Sequence, residues 1–243
     1  MPLFSSRAFI IKSSELNEQD KLVYLYTNDR GLIKGIAPGA LKFKNRFGSK
    51  LELFTLNNVF YYYKETKELI TLSKIDLIKS FYNKLSEESN MFYFYLIAEI
   101  ILKYIPRNHK DPRLFRLLES IVESLENNVS VKLLTLYFIL WIQRIEGKMF
   151  NTKICYSCKS KISDTGWLSS NFEGTLCNKC KTNEEHKLTK EEIYFINWTK
   201  NNSPNNLKEF ELKFNINNLI SSMLKKIEFD AEINLKTKYF IIN

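Results

Sequence analysis

The stretch "KLVYLYTNDRGLIKGIAPG" (21–39) contains two β-prone runs, 21–27 and 31–39, separated by the polar turn "TNDRG" (27–31). Both runs are short and rich in β-branched and aromatic residues. A third run of the same kind, "AFIIK" (8–12), precedes them. Runs of this composition bounded by turn residues are typical of β-strands. The start of the chain therefore predicts three consecutive strands.

Two longer β-prone segments follow, "FTLNNVFYYYK" (54–64) and "ELITLSKIDLI" (68–78), and the polar run "KETK" (64–67) is the predicted turn between them. Five short strands before residue 80 favour a small closed antiparallel barrel, because closure removes the exposed edges of a sheet. The same pattern also fits an SH3-like barrel or a split sandwich.

From residue 81 the apolar spacing becomes that of helices. Residues 91–105 are apolar on almost every face, as expected of a central helix in a bundle. Two further helices are predicted at 111–126 and 130–146, the second with Gly147 as its C-terminal cap. The second half of the chain is therefore expected to be helical.

The remaining helical signals follow the cysteines. The run "TKEE" (189–192) has the spacing of a capping box, and apolar positions between 219 and 227 predict a final helix. The Asn-rich run 201–206 is predicted to be a loop. The expected fold class is α+β, with a small N-terminal β-barrel in residues 1–80 and an α-helical bundle in residues 81–243.

All four cysteines of the chain lie in "CYSCKSKISDTGWLSSNFEGTLCNKC" (155–180). Two Cys-x-x-Cys pairs separated by 18 residues fit a four-cysteine zinc site. The predicted ligands of one Zn²⁺ are Cys155, Cys158, Cys177 and Cys180. A metal-free or redox-active site and an iron–sulfur cluster are the alternatives, and His186 could replace one cysteine.

Four protein thiolates leave no open coordination position for water or substrate, so the predicted ion is structural. The insertion that carries it is expected to span residues 152–183. The segment between the two pairs is predicted to form a small hairpin, with Gly166 and Gly174 at its bends.

The chain is basic, with 36 Lys and Arg against 27 Asp and Glu and a formal net charge of +9. A surplus of this size favours a polyanionic partner, with nucleic acid first and an anionic membrane second. Solubility alone is the simpler explanation. The residue types are otherwise those of a globular protein, at 44% hydrophobic and 26% charged.

The basic residues are concentrated in "RGLIKGIAPGALKFKNRFGSK" (30–50), which contains no acidic residue. Cations along a backbone, interleaved with aromatic faces for base stacking, are what a single-strand binder needs. A solvated loop with its two rings folded onto the barrel is the alternative. The predicted nucleic-acid-binding residues are Arg30, Lys34, Lys42, Phe43, Lys44, Arg46, Phe47 and Lys50.

No secretory signal is recognisable, and the apolar run 91–105 contains Glu99 and Lys103 and is too short to cross a bilayer. A cytosolic protein without a membrane partner is therefore expected, and a reducing compartment favours metal over disulfides for the cysteines. No catalytic motif is present, which disfavours an enzyme.

Three segments together resemble the bacterial recombination mediator family RecO. The run "AFIIKSSELNEQDKLVYLYTNDRGLIKGIAPGALK" (8–42) is similar to the opening of that family, which leads through strands and a turn into a basic segment. The helix "DPRLFRLLESIVESL" (111–125) and the run "YFILWIQRIEGKMFNTKICYSC" (137–158) resemble its later parts. The resemblance covers essentially the whole chain, and the order and spacing of the segments carry it.

The resemblance implies an OB-fold barrel, binding of single- and double-stranded DNA, and annealing of complementary strands. It also implies partnership with RecR and with the acidic C-terminal tail of single-stranded-DNA-binding protein, which together promote loading of RecA. The resemblance implies that the four cysteines bind zinc. DNA contacts are assigned to Lys42, Lys44 and Arg46 because these residues are basic and lie close to the barrel in the sequence. The tail would need a basic, apolar groove on the helical domain.

Such a protein would act in the bacterial cytoplasm, at the nucleoid during repair. The competing hypothesis is a zinc-ribbon and OB-fold adaptor that binds RNA or a protein in transcription or translation. A zinc-dependent nucleic-acid enzyme is a third, disfavoured by the closed site.

Overall fold

The computed structural model describes residues 2–64, 66, 68–182 and 186–241. The chain forms two compact units, Met1–Glu119 and Ser120–Asn243. This division differs from the domain boundary that the sequence predicts after residue 80, and that boundary stays a prediction.

The first unit contains five strands in the order β1-β2-β3-β5-β4, closed into a barrel by pairing of β1 with β4. All pairs are antiparallel except β3 with β5, which run parallel where Gly35 faces Ile70. This is the topology of the OB-fold, a five-stranded Greek-key barrel. The strands are β1 Leu3–Glu15, β2 Lys21–Thr27, β3 Gly31–Ala37, β4 Leu56–Tyr62 and β5 Ile70–Lys79.

The closed barrel confirms the prediction, and β2 has the predicted bounds. The predicted turn at 64–67 includes Glu65 and Lys67, which lie outside the described residues. Gly35 allows β3 and β5 to approach closely, since a Cβ there would lie 2.4 Å from the Ile70 side chain.

Inward-facing side chains from all five strands fill the barrel, and residues after β3 close it. Val23 and Leu25 on β2 point into this core, so Tyr24 between them points outward. Phe47, which precedes the 3-10 helix Gly48–Leu51, and Leu51 at the end of that helix are also buried in the core. Phe47, which belongs to the basic stretch, therefore helps to fill the interior of the barrel.

Helices cover another part of the outer barrel surface within the first unit. Phe9 on β1 contacts Phe115 at a centroid distance of 5.4 Å, and Phe54 contacts Phe94 at 5.0 Å. The Tyr26 hydroxyl donates a hydrogen bond to the Asp111 carbonyl at 3.1 Å. The helices here are α1 Tyr82–Leu85, α2 Glu88–Tyr104 and α3 Pro112–Glu126, the last of which continues into the second unit.

The second unit is mainly helical, with α4 and α6 in its core. Their buried side chains include Leu134, Phe138, Leu219 and Met223. Gly147 follows α4 at a φ of 69°, as its predicted capping role requires. The helices are α4 Val131–Ile145, α5 Lys190–Trp198 and α6 Ile216–Ala231.

The predicted capping box is present at the start of α5. The Thr189 hydroxyl accepts from the Glu192 backbone amide at 3.2 Å, and the Glu192 carboxylate accepts from the Thr189 amide at 2.9 Å. The predicted loop at 201–206 is partly a 3-10 helix, Pro204–Glu209. Within the described residues, no helix has both the length and the apolar character needed to cross a bilayer.

Candidate metal centre and candidate nucleic-acid interface

The four cysteines lie together at one end of a small three-stranded sheet in the second unit. Their Sγ atoms are all within 4.8 Å of one another. The sheet has the order β7-β6-β8. Its strands are β6 Gly166–Leu168, β7 Thr175–Leu176 and β8 Lys187–Leu188.

Each Cys-x-x-Cys pair forms a tight backbone turn. The Lys159 amide donates to the Cys155 carbonyl at 3.0 Å, and the Cys180 and Lys181 amides both donate to the Cys177 carbonyl at 3.0 Å. The Cys177 amide also donates to the Cys155 sulfur at 3.3 Å. This hydrogen bond joins the second pair to the first.

The thiols strongly affect one another's protonation. The pKa of Cys158 is lowered to about 6, because the Ser160 hydroxyl and amide donate to its sulfur. The pKa of Cys180 is raised to about 12, chiefly by its hydrogen bond with Cys158 and then by burial. Four thiolates this close need a compensating cation, so the donor set fits a divalent metal ion.

The hairpin between the two pairs is present, but Gly166 has another role than predicted. Gly166 lies within β6, where a Cβ would be 2.3 Å from the Thr175 side chain. A Cβ at Gly174 would be 2.4 Å from Tyr156. The prediction that both residues form bends is wrong for Gly166, because close strand packing is what requires glycine there. His186 is not in the metal-binding cluster, which among the described residues consists of the four cysteines.

The eight predicted DNA-contacting residues divide into four groups, one of which is Lys34 alone on β3. Lys42, Phe43, Lys44 and Arg46 are exposed in the loop after β3, and the Phe43 side chain is 100% exposed. This loop is tethered, since the Gly39 amide donates to the Asp20 carboxylate at 2.8 Å.

Arg30 and Lys50 are held against the barrel. The Arg30 guanidinium lies 4.2 Å from the Tyr63 ring centre and 4.9 Å from that of Phe4. The Lys50 ammonium donates to the Ile75 carbonyl at 3.1 Å. Both cations are fixed in position and only partly exposed.

Phe47 is the third case and corrects the prediction. Its side chain is fully buried in the barrel core, so the ring has no free face on which a base could stack. The reason is local: the Asn45 side chain accepts from the Phe47 and Gly48 amides at 3.0 and 2.6 Å, which forms a turn that directs Phe47 inward.

Two outward-facing residues that were not predicted, Lys12 and Tyr24, lie in one row with Lys34 across the sheet. Lys12 on β1 pairs with Tyr24 on β2, and Tyr24 pairs with Lys34 on β3. The Lys34 ammonium lies 5.7 Å from the Tyr24 ring centre. The alternation of side chains along "KLVYLYT" could have predicted that Tyr24 faces outward. The residues beside it on β1 and β3, however, depend on the register of the strands. This cation–aromatic–cation row lies on the face that OB-folds use for oligonucleotides.

The fold and these two sites define an OB-fold protein with a helical unit that carries a four-thiol metal-binding motif. Residues 1–81 match the family model for the N-terminal part of recombination protein O, and residues 87–229 match the model for its C-terminal part. The chain belongs to the recombination protein O family.

Similar proteins have the same family name. "DNA repair protein RecO" of Clostridium acetobutylicum is 26% identical over 226 residues, which cover 93% of this chain and 91% of that protein. The proteins of that name from Clostridium novyi and Koribacter versatilis are 27% and 29% identical, covering 78% of this chain in both cases and 73% and 77% of the relatives. The matches confirm the resemblance and assign the chain to a family of DNA repair and recombination mediators. They do not support the adaptor hypothesis.

Proposed function

We propose that this protein binds single- and double-stranded DNA on its barrel and anneals complementary strands during repair. The observations that carry the proposal are the outward-facing cations and rings in the row across the sheet and in the loop after β3. The members of the row are Lys12, Tyr24 and Lys34, and those of the loop are Lys42, Phe43, Lys44 and Arg46.

Annealing by such a surface needs no bond chemistry from the protein. Lysine and arginine neutralise phosphates on each strand, which lowers the repulsion between strands and releases counterions. Tyr24 and the exposed Phe43 offer faces on which bases can stack without sequence preference. Base pairing between the strands then supplies the driving force.

The metal ion is proposed to be one Zn²⁺ bound by Cys155, Cys158, Cys177 and Cys180. An all-sulfur, four-coordinate donor set is typical of structural zinc, and it leaves no position for a substrate. When bound, the ion would order the segment between the two pairs, where the described residues contribute only a small apolar cluster around Trp167. The proposal therefore assigns the metal a structural role.

The mediator role extends to proteins. RecR and the acidic tail of single-stranded-DNA-binding protein are proposed as direct partners, and RecA as the recombinase whose loading is promoted. With DNA as its substrate, the protein would act at the nucleoid in the cytoplasm. A pull-down with purified RecR and with a peptide of the acidic tail tests these contacts. Failure to retain RecR would contradict the first contact, and failure to retain the peptide would contradict the second.

Strand annealing tests the central activity. Complementary fluorescent oligonucleotides should pair faster with the protein present, and changing Lys42, Lys44 and Arg46 together to Glu should remove most of this acceleration. Reversal of three other exposed cations, Lys110, Arg116 and Lys148, is the control for net charge. An equal reduction in both triple variants, or none in the first, would overturn the assignment of the loop.

A further inference from the structure

A cavity of about 720 Å³ in the second unit lies beside α5 and is lined by aromatic rings. Tyr194 and Trp198 on α5 face Phe210, with ring centroids 6.3 and 4.8 Å from that of Phe210. Tyr194 is 61% exposed, so this group of rings, called the cage below, is open to solvent. The volume is within the range of ordinary ligand pockets.

Packing behind the cage holds these rings in place. The fully buried Phe195 stacks against Trp198 at 6.3 Å and meets Phe210 edge-on at 5.0 Å. The Asn202 side chain donates to the Trp198 carbonyl at 2.9 Å, which fixes the end of α5. The pocket is therefore preformed, and an occupant would lose little affinity to ordering of the rings.

The charges around the cage favour a cation. Its two lysines already have acidic partners, since the Lys213 ammonium lies 3.0 Å from Glu211 and the Lys190 ammonium 3.6 Å from Asp164. Glu191 and Glu209 also line the cavity. Among the described residues, neither of these two carboxylates makes a side-chain hydrogen bond or an ion pair.

We propose that this pocket binds an arginine or lysine side chain presented by a protein partner. Aromatic faces attract cations through the ring quadrupole, with tryptophan the strongest, and the two unpaired carboxylates add direct attraction. The same carboxylates disfavour an acidic peptide or a nucleic-acid phosphate at this place. The site is thus opposite in charge preference to the barrel face, and it does not depend on DNA binding.

The binding of three labelled peptides to the full-length protein tests the proposal. The peptides share the sequence Gly-Ser-Leu-X-Leu-Gly-Ser, with X as arginine, as its neutral isostere citrulline, or as glutamate. Fluorescence anisotropy should show the arginine peptide binding about tenfold more tightly than the citrulline peptide, and the glutamate peptide more weakly still.

Two exposed positions allow variants without disturbing the core. Tyr194→Ala and Glu209→Gln should each weaken the arginine peptide about three- to tenfold. Glu123→Gln changes another exposed glutamate of the second unit, outside the cavity, and should leave affinity unchanged. Thermal melting of each variant checks that the fold is kept.

Three results would overturn the proposal. The first is equal binding of the arginine and citrulline peptides, and the second is tighter binding of the glutamate peptide. The third is displacement of the arginine peptide by a thymidine oligonucleotide whose own binding weakens in Tyr194→Ala, since the cage would then be a base-stacking site.

Discussion

The Sγ atoms of Cys158 and Cys177 lie 3.7 Å apart, although the two residues are 19 positions apart in the chain. Tetrahedral zinc with bonds of about 2.3 Å places its sulfur ligands about 3.8 Å from each other. The fold therefore brings thiols from both Cys-x-x-Cys pairs to the separation that one ion requires. Under the proposal, a closed set of four ligands would make this centre a structural support, and DNA would bind to the barrel.

Removal of one ligand should affect zinc and local order before DNA binding. Cys177→Ser is expected to lower the bound zinc well below one ion per chain and to increase hydrogen exchange in residues 152–182. Structural zinc contributes on the order of 10 kcal/mol to folding of isolated fingers, so the local effect should be large. Ser163→Ala, in the same segment but not a ligand, should retain zinc. Abolished DNA affinity with an intact fold and unchanged melting would contradict the structural role.

The two phenylalanines of the basic stretch should behave in opposite ways. Phe47→Ala removes a fully buried ring from the barrel core and should cost about 3–5 kcal/mol of unfolding free energy. Phe43→Ala should leave the melting temperature unchanged but weaken single-strand binding by about 1–3 kcal/mol, the range for one stacked base. Chemical denaturation and oligonucleotide titration of both variants separate the two roles. A stable Phe47→Ala protein with weak DNA binding would reverse this assignment.

Variants in the row of Lys12, Tyr24 and Lys34 should separate the contribution of charge to DNA binding from that of base stacking. Changing Lys12 and Lys34 to Gln should make the salt dependence of single-strand binding shallower by about 0.7 for each phosphate that is no longer neutralised. Tyr24→Leu should weaken binding with little change in that slope, because stacking releases no counterions. Affinity measured at several salt concentrations gives both quantities. A Tyr24→Leu variant with a reduced slope would contradict a stacking role.

The hydrogen bond between Asp20 and the loop after β3 makes the stability of this contact depend on pH. The hydrogen bond from the Gly39 amide, followed by that from Asn17, lowers the pKa of this carboxyl below its usual 3.8. Because the folded-state pKa is the lower one, its stabilising effect is present above pH 3.8 and is lost as pH falls through the folded value. At neutral pH, Asp20→Ala should speed hydrogen exchange of the Gly39 amide, whereas Asp29→Ala should not. Unchanged Gly39 exchange would contradict the tether.

The sequence predicted the fold well where a feature depends on residues that are close together in the chain. The bounds of β2 and the capping box at Thr189 follow from spacing within a few residues, and the joining of the four cysteines follows from two such Cys-x-x-Cys pairs. The closed barrel followed from the number and shortness of the strands. Each of these features depends little on the path of distant segments.

Other features depend on tertiary arrangement and could not be read from spacing. Phe43 and Phe47 have similar neighbours in the sequence, yet one is exposed and the other is buried by the Asn45 turn. The row of Lys12, Tyr24 and Lys34 exists because of strand register, which the pattern within a single strand does not reveal. Gly166 was expected at a bend, but the close approach of Thr175 explains it.

The salt dependence of single-strand DNA binding tests the central claim most directly. If about five phosphates are bound, a slope of roughly −0.7 per phosphate predicts about a 100-fold decrease in affinity between 50 and 200 mM salt. We expect this decrease for the unmodified protein and a clearly shallower slope after Lys42, Lys44 and Arg46 are changed to Glu. A nearly flat response of the unmodified protein would contradict the assignment of DNA binding to the basic surface of the barrel.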